Sequence, residues 1–540
     1  MSQKLLDISD LSVALPEGSD RKFAVKNMNL TLHSGETVCV VGESGSGKSL
    51  TARAVMGLLP APHVRVHSGQ ILFEKEDITK MNYEKLRGLR GSEISMIFQE
   101  PMTALNPVMS IGDQIDEIFR YHVEMTNIER VNKAIELLND VNLPSPKHIM
   151  SAFPHELSGG QRQRAMIAMA LALKPKILIA DEPTTALDVT TQAQILRLIR
   201  DMQGAYNTGV LFITHDFGVV ADIADRVAVM QHGIVVESGT VKQVLNAPKH
   251  KYTKSLITAV PSLKPRKARP QSKKNVLAVK GISKTFGGGK TIFGLGSTSR
   301  EVKAVKEVTL DLNKGETLGI VGESGSGKST LARCIIRLLD TDAGEINIEG
   351  VRVNKLNRRD MRPWRNKIQM VFQDPFASLN PRIKVGEIIA QGPLTQGVEH
   401  KEAVARAEEL LSIVGLEKKA FDRFPHEFSG GQRQRIGIAR SLALRPEILI
   451  ADEPVSALDV SIQAQILALL DDIRDQMNLS MIFITHDLRV AAQVCDRLAV
   501  MRNGEVVETG LTKTIFASPG HEYTRELLAA VPGKNWKTEK

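Results

Sequence analysis

The run Gly42-Glu43-Ser44-Gly45-Ser46-Gly47-Lys48-Ser49 sets glycines at close spacing ahead of a lysine and a hydroxyl. It recurs as Gly322-Glu323-Ser324-Gly325-Ser326-Gly327-Lys328-Ser329. Glycines at this spacing let the backbone curl until several N–H groups point at one phosphate. The helical run that follows aims its positive end at the same place. Lys48 and Lys328 can reach the β- and γ-phosphates, and the Ser49 and Ser329 hydroxyls can ligate Mg²⁺. The chemistry implied is the binding of a nucleoside triphosphate, here at two places.

Other recurring residues fit hydrolysis of that ligand. Asp181-Glu182 and Asp452-Glu453 each end an apolar ILIA run. An aspartate at such a strand end can hold Mg²⁺, and the adjacent glutamate can polarise an attacking water. Gln99 and Gln373 end the apolar runs MIF and MVF ahead of an acid and a proline, where an amide can touch the metal or the water. His215 and His486 close FITHD in each copy. A lone histidine there is ordinarily a satisfied structural residue, but its recurrence in register assigns it to the γ-phosphate. The catalytic candidates are thus Glu182, Glu453, His215, His486, Gln99 and Gln373. The metal candidates are Ser49, Gln99, Asp181, Ser329, Gln373 and Asp452. A second anion-binding feature comes with Ser158-Gly159-Gly160-Gln161 and Ser429-Gly430-Gly431-Gln432. A serine and two glycines before a long helical run (Gln161–Leu173 in the first copy) form an N-cap with free amides.

These motifs must be carried by something written twice. The signature, Asp-Glu and histidine motifs keep a constant offset between copies, so one domain was duplicated, with small length changes upstream. Thr37–Val41, Ile177–Ala180 and Val210–Thr214 read as strands, as does Thr317–Val321. Runs apolar throughout suggest parallel strands buried on both faces. Helices are expected over Leu50–Leu59 and Thr330–Leu339. The expected domains are 1–261 and 276–540, joined by a basic Pro/Lys-rich linker over 262–275 that reads as a solvated tether. Gly287–Ser299, without an equal in the first copy, reads as a loop between early strands.

Composition narrows the class. The 540 residues carry a net charge of +9 and 42% hydrophobic residues, ordinary for a globular chain. That charge is expected to be a solvated surface, part of it concentrated in Lys264, Arg266, Lys267, Arg269, Lys273 and Lys274. Three well-separated cysteines, Cys39, Cys334 and Cys495, suit a reducing compartment without disulfides. No apolar run approaches the roughly 18 residues of a membrane span, and the N-terminus lacks a signal-type apolar region.

The motifs together resemble ABC-type ATPase domains: phosphate loop, Gln loop, SGGQ signature, Asp-Glu pair, Ala-Leu-Asp loop (Ala186–Asp188; Ala457–Asp459) and His switch, in that order. The resemblance covers nearly the whole chain. It implies an α/β fold of two tandem P-loop nucleotide-binding domains, each with a RecA-like core, an antiparallel β subdomain and a helical signature subdomain. It implies ATP and Mg²⁺ as ligands, with Ser429 and Gly431 completing the first site and Ser158 and Gly160 the second. The family stacks adenine on an early aromatic. Phe286 supplies it in the second copy; the first has Leu15, so stacking is weaker there or Phe23 takes over. Phe428 replaces Leu157 ahead of the signature, with little effect expected.

Each copy ends in a further repeat, Pro248-Lys249-His250-Lys251-Tyr252-Thr253 and Pro519-Gly520-His521-Glu522-Tyr523-Thr524. With Pro101–Pro107 and Pro375–Pro381, it is similar to ATPases of bacterial dipeptide, oligopeptide, glutathione and nickel importers. That implies a peripheral subunit on the cytoplasmic face of the inner membrane. Its partners would be two transmembrane permeases and, through them, a periplasmic or extracellular substrate-binding protein. Neither nucleic acid nor an iron–sulfur cluster is expected, since no cysteine follows Cys495. The rival reading is a membrane-free tandem ATPase acting on ribosomes or nucleic acid.

Overall fold

The computed structural model describes residues 3–184, 187–270, 272–287, 301–456 and 458–536. Ala186, Ala457 and nearly all of the Gly287–Ser299 loop expectation lie outside these residues. The chain divides into two compact units. One comprises Met1–Val260 with Asp459–Ser461 and Val531–Lys540; the other comprises Pro261–Leu458 with Ile462–Ala530.

In the first unit β1 (Lys4–Ala14), β2 (Phe23–His33), β4 (Arg65–Phe73) and β5 (Glu76–Asp77) form an antiparallel sheet in the order β2-β1-β4-β5. The second sheet takes β3 (Thr37–Val41), β6 (Ile94–Ile97), β7 (Ile177–Asp181), β8 (Gly209–Thr214), β9 (Arg226–Gln231) and β10 (Ile234–Thr240) in the order β10-β9-β3-β8-β7-β6. All its pairings are parallel except β9 with β10. Every residue of β3, β7 and β8 is buried, as their unbroken apolar runs require. Successive side chains of β3 serve opposite cores. Val38 and Val40 pack with Leu6 and Ile8 of the antiparallel sheet. Cys39 and Val41 pack with Ile167 of the signature helix (Gly159–Leu171) and with Ile115 and Leu138 of the helices Ile111–His122 and Asn127–Asp140.

The second unit repeats this. Its antiparallel sheet is built from β11 (Asn275–Phe286), β12 (Val302–Asn313), β14 (Ala343–Ile348) and β15 (Val351–Arg352). Its mainly parallel sheet is built from β13 (Thr317–Val321), β16 (Ile368–Val371), β17 (Ile448–Asp452), β18 (Ser480–Thr485), β19 (Arg497–Arg502) and β20 (Glu505–Leu511), in the order β16-β17-β18-β13-β19-β20.

Two expectations need correction. The helices after the phosphate loops run over Lys48–Val55 and Lys328–Ile335, shorter at the C-terminal end than Leu59 and Leu339. Each stops in a Schellman turn. Gly57 N donates to Ala54 O and Leu58 N to Arg53 O; Arg337 N donates to Cys334 O and Leu338 N to Arg333 O. Gly57 and Arg337 take the left-handed conformation the turn demands, with φ of 63° and 57°. The apolar residues beyond continued the sequence pattern without continuing the helix.

The linker is also not a free tether throughout. Arg266 and Arg269 donate to Asp471 Oδ1 at 3.0 and 2.7 Å, and Arg269 lies 3.4 Å from the Asp496 carboxylate. Asp496 is almost wholly buried and also accepts from Thr317 N at 3.0 Å. Arg266 N donates to Ala492 O. The first half of the basic run thus belongs to the second unit.

Candidate functional site

The phosphate loop leaves β3 at its carboxyl end, with β8 and β9 on either side and β7 beyond β8. Parallel strands bring their carboxyl ends to one edge, so the loop, Asp181 at the end of β7 and His215 after β8 gather there. Gly42 has φ 152°, and a Cβ on it would lie 2.2 Å from Met230 O. Gly47 has φ 107° and would meet Ala24 O at 2.5 Å. Both glycines therefore permit a close backbone approach as well as a turn. Lys48 Nζ donates to Gly42 O at 2.7 Å and Glu43 O at 2.9 Å. Burial lowers the pKa of this ammonium, with Glu182 the largest opposing influence.

Ser49 Oγ donates to Asp181 Oδ1 at 3.0 Å, and Ser329 Oγ to Asp452 Oδ1 at the same distance. Burial raises the Asp181 carboxyl to about 6, against the Ser49 hydrogen bond; Asp452 is raised for the same reason. A hydroxyl and a carboxylate side by side fit a hard oxygen-seeking cation such as Mg²⁺.

Glu182 and Glu453 stand next in the chain with φ of 47° and 45°. Left-handed backbone is unfavourable for a glutamate, by about 1–3 kcal/mol, and its appearance in both copies marks a constrained position. The turn swings each carboxylate to its partners. Gln99 Nε2 donates to Glu182 Oε2 at 3.0 Å, and His215 Nδ1 lies 3.4 Å from Glu182 Oε1. Gln373 Nε2 donates to Glu453 Oε2 at 3.0 Å, and His486 Nδ1 lies 3.2 Å from the same oxygen. Burial lowers both histidines, but the hydrogen bond to glutamate and the negative charge of that glutamate and the adjacent aspartate together outweigh it, and their pKa values are raised. Burial would likewise raise Glu453, but His486 and Lys328 hold it lowered.

The predicted residues thus come together within each unit. One cleft is lined by Ser44, Gly45, Gly47, Lys48, Ser49, Gln99 and Glu182. The other is lined by Ser324, Gly325, Gly327, Lys328, Ser329, Gln373 and Glu453. Ser46 and Ser326 are buried beneath their loops. Gly322 repeats the approach of Gly42, its Cβ position 2.2 Å from Met501 O.

The signature residues do not line the cleft of their own unit. Ser158 caps its helix in a capping box: Ser158 Oγ accepts from Gln161 N at 3.3 Å, and Gln161 Oε1 from Ser158 N at 2.9 Å. Ser429 and Gln432 repeat it. Beside Gly159 and Gly430 there is open space, whereas a Cβ on Gly431 would meet Ile462 Cγ2 at 2.5 Å. Leu157 and Phe428 are both buried, so the exchange between them keeps an apolar filling.

The adenine-stacking residues separate differently. Phe286 ends β11, partly exposed, opposite Val302, which lines the second cleft. In the first unit Leu15 and Arg21 line the cleft, and Arg21 Nη2 donates to Gly45 O. Phe23 packs instead against His67, with centroids 5.2 Å apart.

Sequence reasoning missed two contacts. Gln163 Nε2, inside the signature helix, donates to Pro183 O at 2.6 Å, tying that helix to the Asp-Glu turn. Tyr252 and Tyr523 reach the phosphate loops from the tails. Their recurrence at the same place in both tail repeats was the available signal.

Two α/β cassettes, each with a phosphate loop, a strand-end acid pair and a capped signature helix, define a tandem ATP-binding ATPase. The sequence profile described as "ABC transporter" matches residues 25–185 and 305–456. The profile "Oligopeptide/dipeptide transporter, C-terminal region" matches 236–289 and 507–539. The chain is 45% identical to the glutathione import ATP-binding protein GsiA of Salmonella choleraesuis (strain SC-B67), over 98% of this chain and 90% of that one. It is also 45% identical to GsiA of Escherichia coli (strain K12), over 98% and 89%. Among solved structures, a dimeric bacterial ABC transporter cassette is 31% identical over 44% of this chain and 98% of its own, with a TM-score of 0.40. The chain belongs to the ABC transporter family of ATPases.

Proposed function

We propose that this chain is the energy-coupling ATPase of a bacterial importer for peptide-class substrates: dipeptides, oligopeptides, glutathione or microcin-like peptides. The observation that carries the ATPase part is the pair of fully equipped clefts: loop lysine, serine–aspartate pair, and a glutamate held by glutamine and histidine, in both units. The peptide class rests on the tail profile and on the import role named for the GsiA relatives.

Lys48 and Lys328 leave their carbonyl partners to hold the β- and γ-phosphates. Ser49 with Asp181 and Gln99, and Ser329 with Asp452 and Gln373, would hold Mg²⁺; bound there, the cation would neutralise phosphate charge. Glu182 and Glu453 take up the proton of, or orient, the attacking water. His215 and His486, kept close by those glutamates, contact the γ-phosphate. Phe286 stacks on adenine. Ser158, Gly159, Gly160 and Gln161, with Ser429, Gly430, Gly431 and Gln432, offer first-turn amides to a phosphate held by another cassette.

Among the described residues no helix is long and apolar enough to cross a membrane. Transport therefore calls for permease partners, with the chain at the cytoplasmic face of the inner membrane. A role on nucleic acid draws only on the basic charge, and Arg266 and Arg269 already spend theirs on Asp471 and Asp496. The test is affinity purification from membranes of the native cell with ATP and Mg²⁺, followed by mass spectrometry. Two multi-span permeases are expected. Ribosomal proteins or nucleic acid in their place would overturn the transport role and leave the ATPase standing.

A further inference from the structure

The first peptide of each phosphate loop is held at both its polar ends. In the first unit that peptide joins Gly42 to Glu43. Its carbonyl accepts from Lys48 Nζ at 2.7 Å, and its N–H donates to the Tyr252 hydroxyl at 3.2 Å. In the second unit Gly322 O accepts from Lys328 Nζ at 2.8 Å, and Glu323 N donates to the Tyr523 hydroxyl at 3.1 Å. The peptide group is planar, so its N–H and C=O turn together. A hydroxyl that fixes the N–H therefore fixes the direction of the carbonyl holding the lysine. Gly42 and Gly322 have no side chain to resist that rotation.

The tyrosines are themselves firmly placed. Tyr252 lies in the tail helix Lys251–Ala259, where its own amide donates to His250 Nδ1 at 3.2 Å. Glu237, from β10, accepts from Lys249 N and His250 N at 2.7 and 3.1 Å. Tyr523 lies in the helix Glu522–Ala529 with the matching contacts from His521 and, on β20, Glu508. It is 1% exposed, with the Arg502 guanidinium over its ring. In the first copy the Tyr252 hydroxyl also donates to Glu43 Oε2 at 3.1 Å. The arrangement persists although the neighbours change, Lys249 becoming Gly520 and Lys251 becoming Glu522.

We infer that Tyr252 and Tyr523 are positioning residues of the two ATP sites. Their hydroxyls set the orientation of the first phosphate-loop peptide, and through its carbonyl the starting position of the loop lysine. The C-terminal tail thereby forms part of the nucleotide site. This rests on the ATPase reading of the clefts.

The test is Tyr252→Phe, Tyr523→Phe and the double variant, which keep the ring and remove only the hydroxyl. Hydrogen–deuterium exchange of nucleotide-free protein should speed up in peptides covering 42–48 and 322–328 while the β3 and β13 strands stay protected. ATP binding and KM should weaken by roughly 3- to 10-fold per site, the worth of one neutral hydrogen bond, with kcat at saturating ATP nearly unchanged. Two results would overturn the inference: exchange and KM as in wild type, or a uniform loss of protection and melting temperature with wild-type ATP affinity in the folded fraction. A wild-type protein that bound no ATP would sink the ATPase reading instead, and the exchange measurement would still decide the role of the hydroxyls.

Discussion

Replacing Glu453 with glutamine, and Glu182 likewise, separates charge from shape. Glutamine has the same length and inherits the same left-handed backbone, so the strain of about 1–3 kcal/mol at that turn is unchanged. Its amide oxygen can still accept from Gln373 Nε2, which sits 3.0 Å from the carboxylate. What disappears is a negative charge that His486 and Lys328 hold ionised against burial. A positioned carboxylate base contributes typically 10²- to 10⁴-fold. At 1.36 kcal/mol per decade the lower figure is about 2.7 kcal/mol of barrier. The phosphate contacts proposed for Lys48 and Lys328 remain available, so ATP affinity should hold. The assay is phosphate release at saturating ATP from Glu182→Gln/Glu453→Gln, beside equilibrium ATP binding. Turnover should fall at least ~10²-fold with binding retained. Each single variant should fall between that and wild type. His486 should titrate lower in the variant, because the hydrogen bond that raises it is weakened. Wild-type turnover in the double variant would refute the assignment of the base.

Gly47→Ala sets a Cβ 2.5 Å from Ala24 O at φ 107° and should abolish the thermal shift that ATP produces; an undiminished shift would show that the loop tolerates it. Leu15→Phe should strengthen ATP binding at the first site by about 0.5–1.5 kcal/mol, the value of an aromatic stack, measured in a Lys328→Ala background; unchanged affinity would mean that Leu15 does not face adenine. Arg269→Ala strips a cation from the buried Asp496 carboxylate and should destabilise the second unit by about 3 kcal/mol in denaturant unfolding. Burial would raise Glu237 and Glu508, but the neighbouring Thr253 and Thr524 and hydrogen bonds from backbone amides leave both below the ordinary 4.5. A lowered carboxylate stabilises above its unfolded pKa and loses that stabilisation as pH falls through the folded one. Protection from hydrogen exchange in the tail helices, relative to the intrinsic rate, should therefore fall below pH 4.5, and a flat protection profile would contradict the role given to these carboxylates.

Most of the site was legible because it is local. Gly42 to Ser49 and the ILIAD strands carry their conformation and chemistry in a few consecutive residues. The features that escaped are long-range or lack a residue-type signal. Tyr252 meets Glu43 across 209 positions, and Arg266 meets Asp471 across 205. A Pro/Lys-rich stretch looks the same whether it waves in water or lies on two aspartates. The left-handed turn at Glu182 is signalled by neither glycine nor asparagine. The helix after the loop stops short of its sequence pattern, because Met56 to Leu59 continue that pattern past the turn that ends it. Ser158 is legible as an N-cap, since a serine three residues before a glutamine is itself a capping pattern.

The docking of Arg266 and Arg269 decides where the gene can be cut. A separately expressed second half that began at Asn275, where β11 starts, would look complete by its motifs. It would leave the Asp496 carboxylate sealed inside without Arg269, and Asp471 without both arginines. Starting at Pro261 keeps both. Ending the first half at Val260 leaves the basic stretch whole with the second unit, so the two halves are best divided on its early side rather than in its middle.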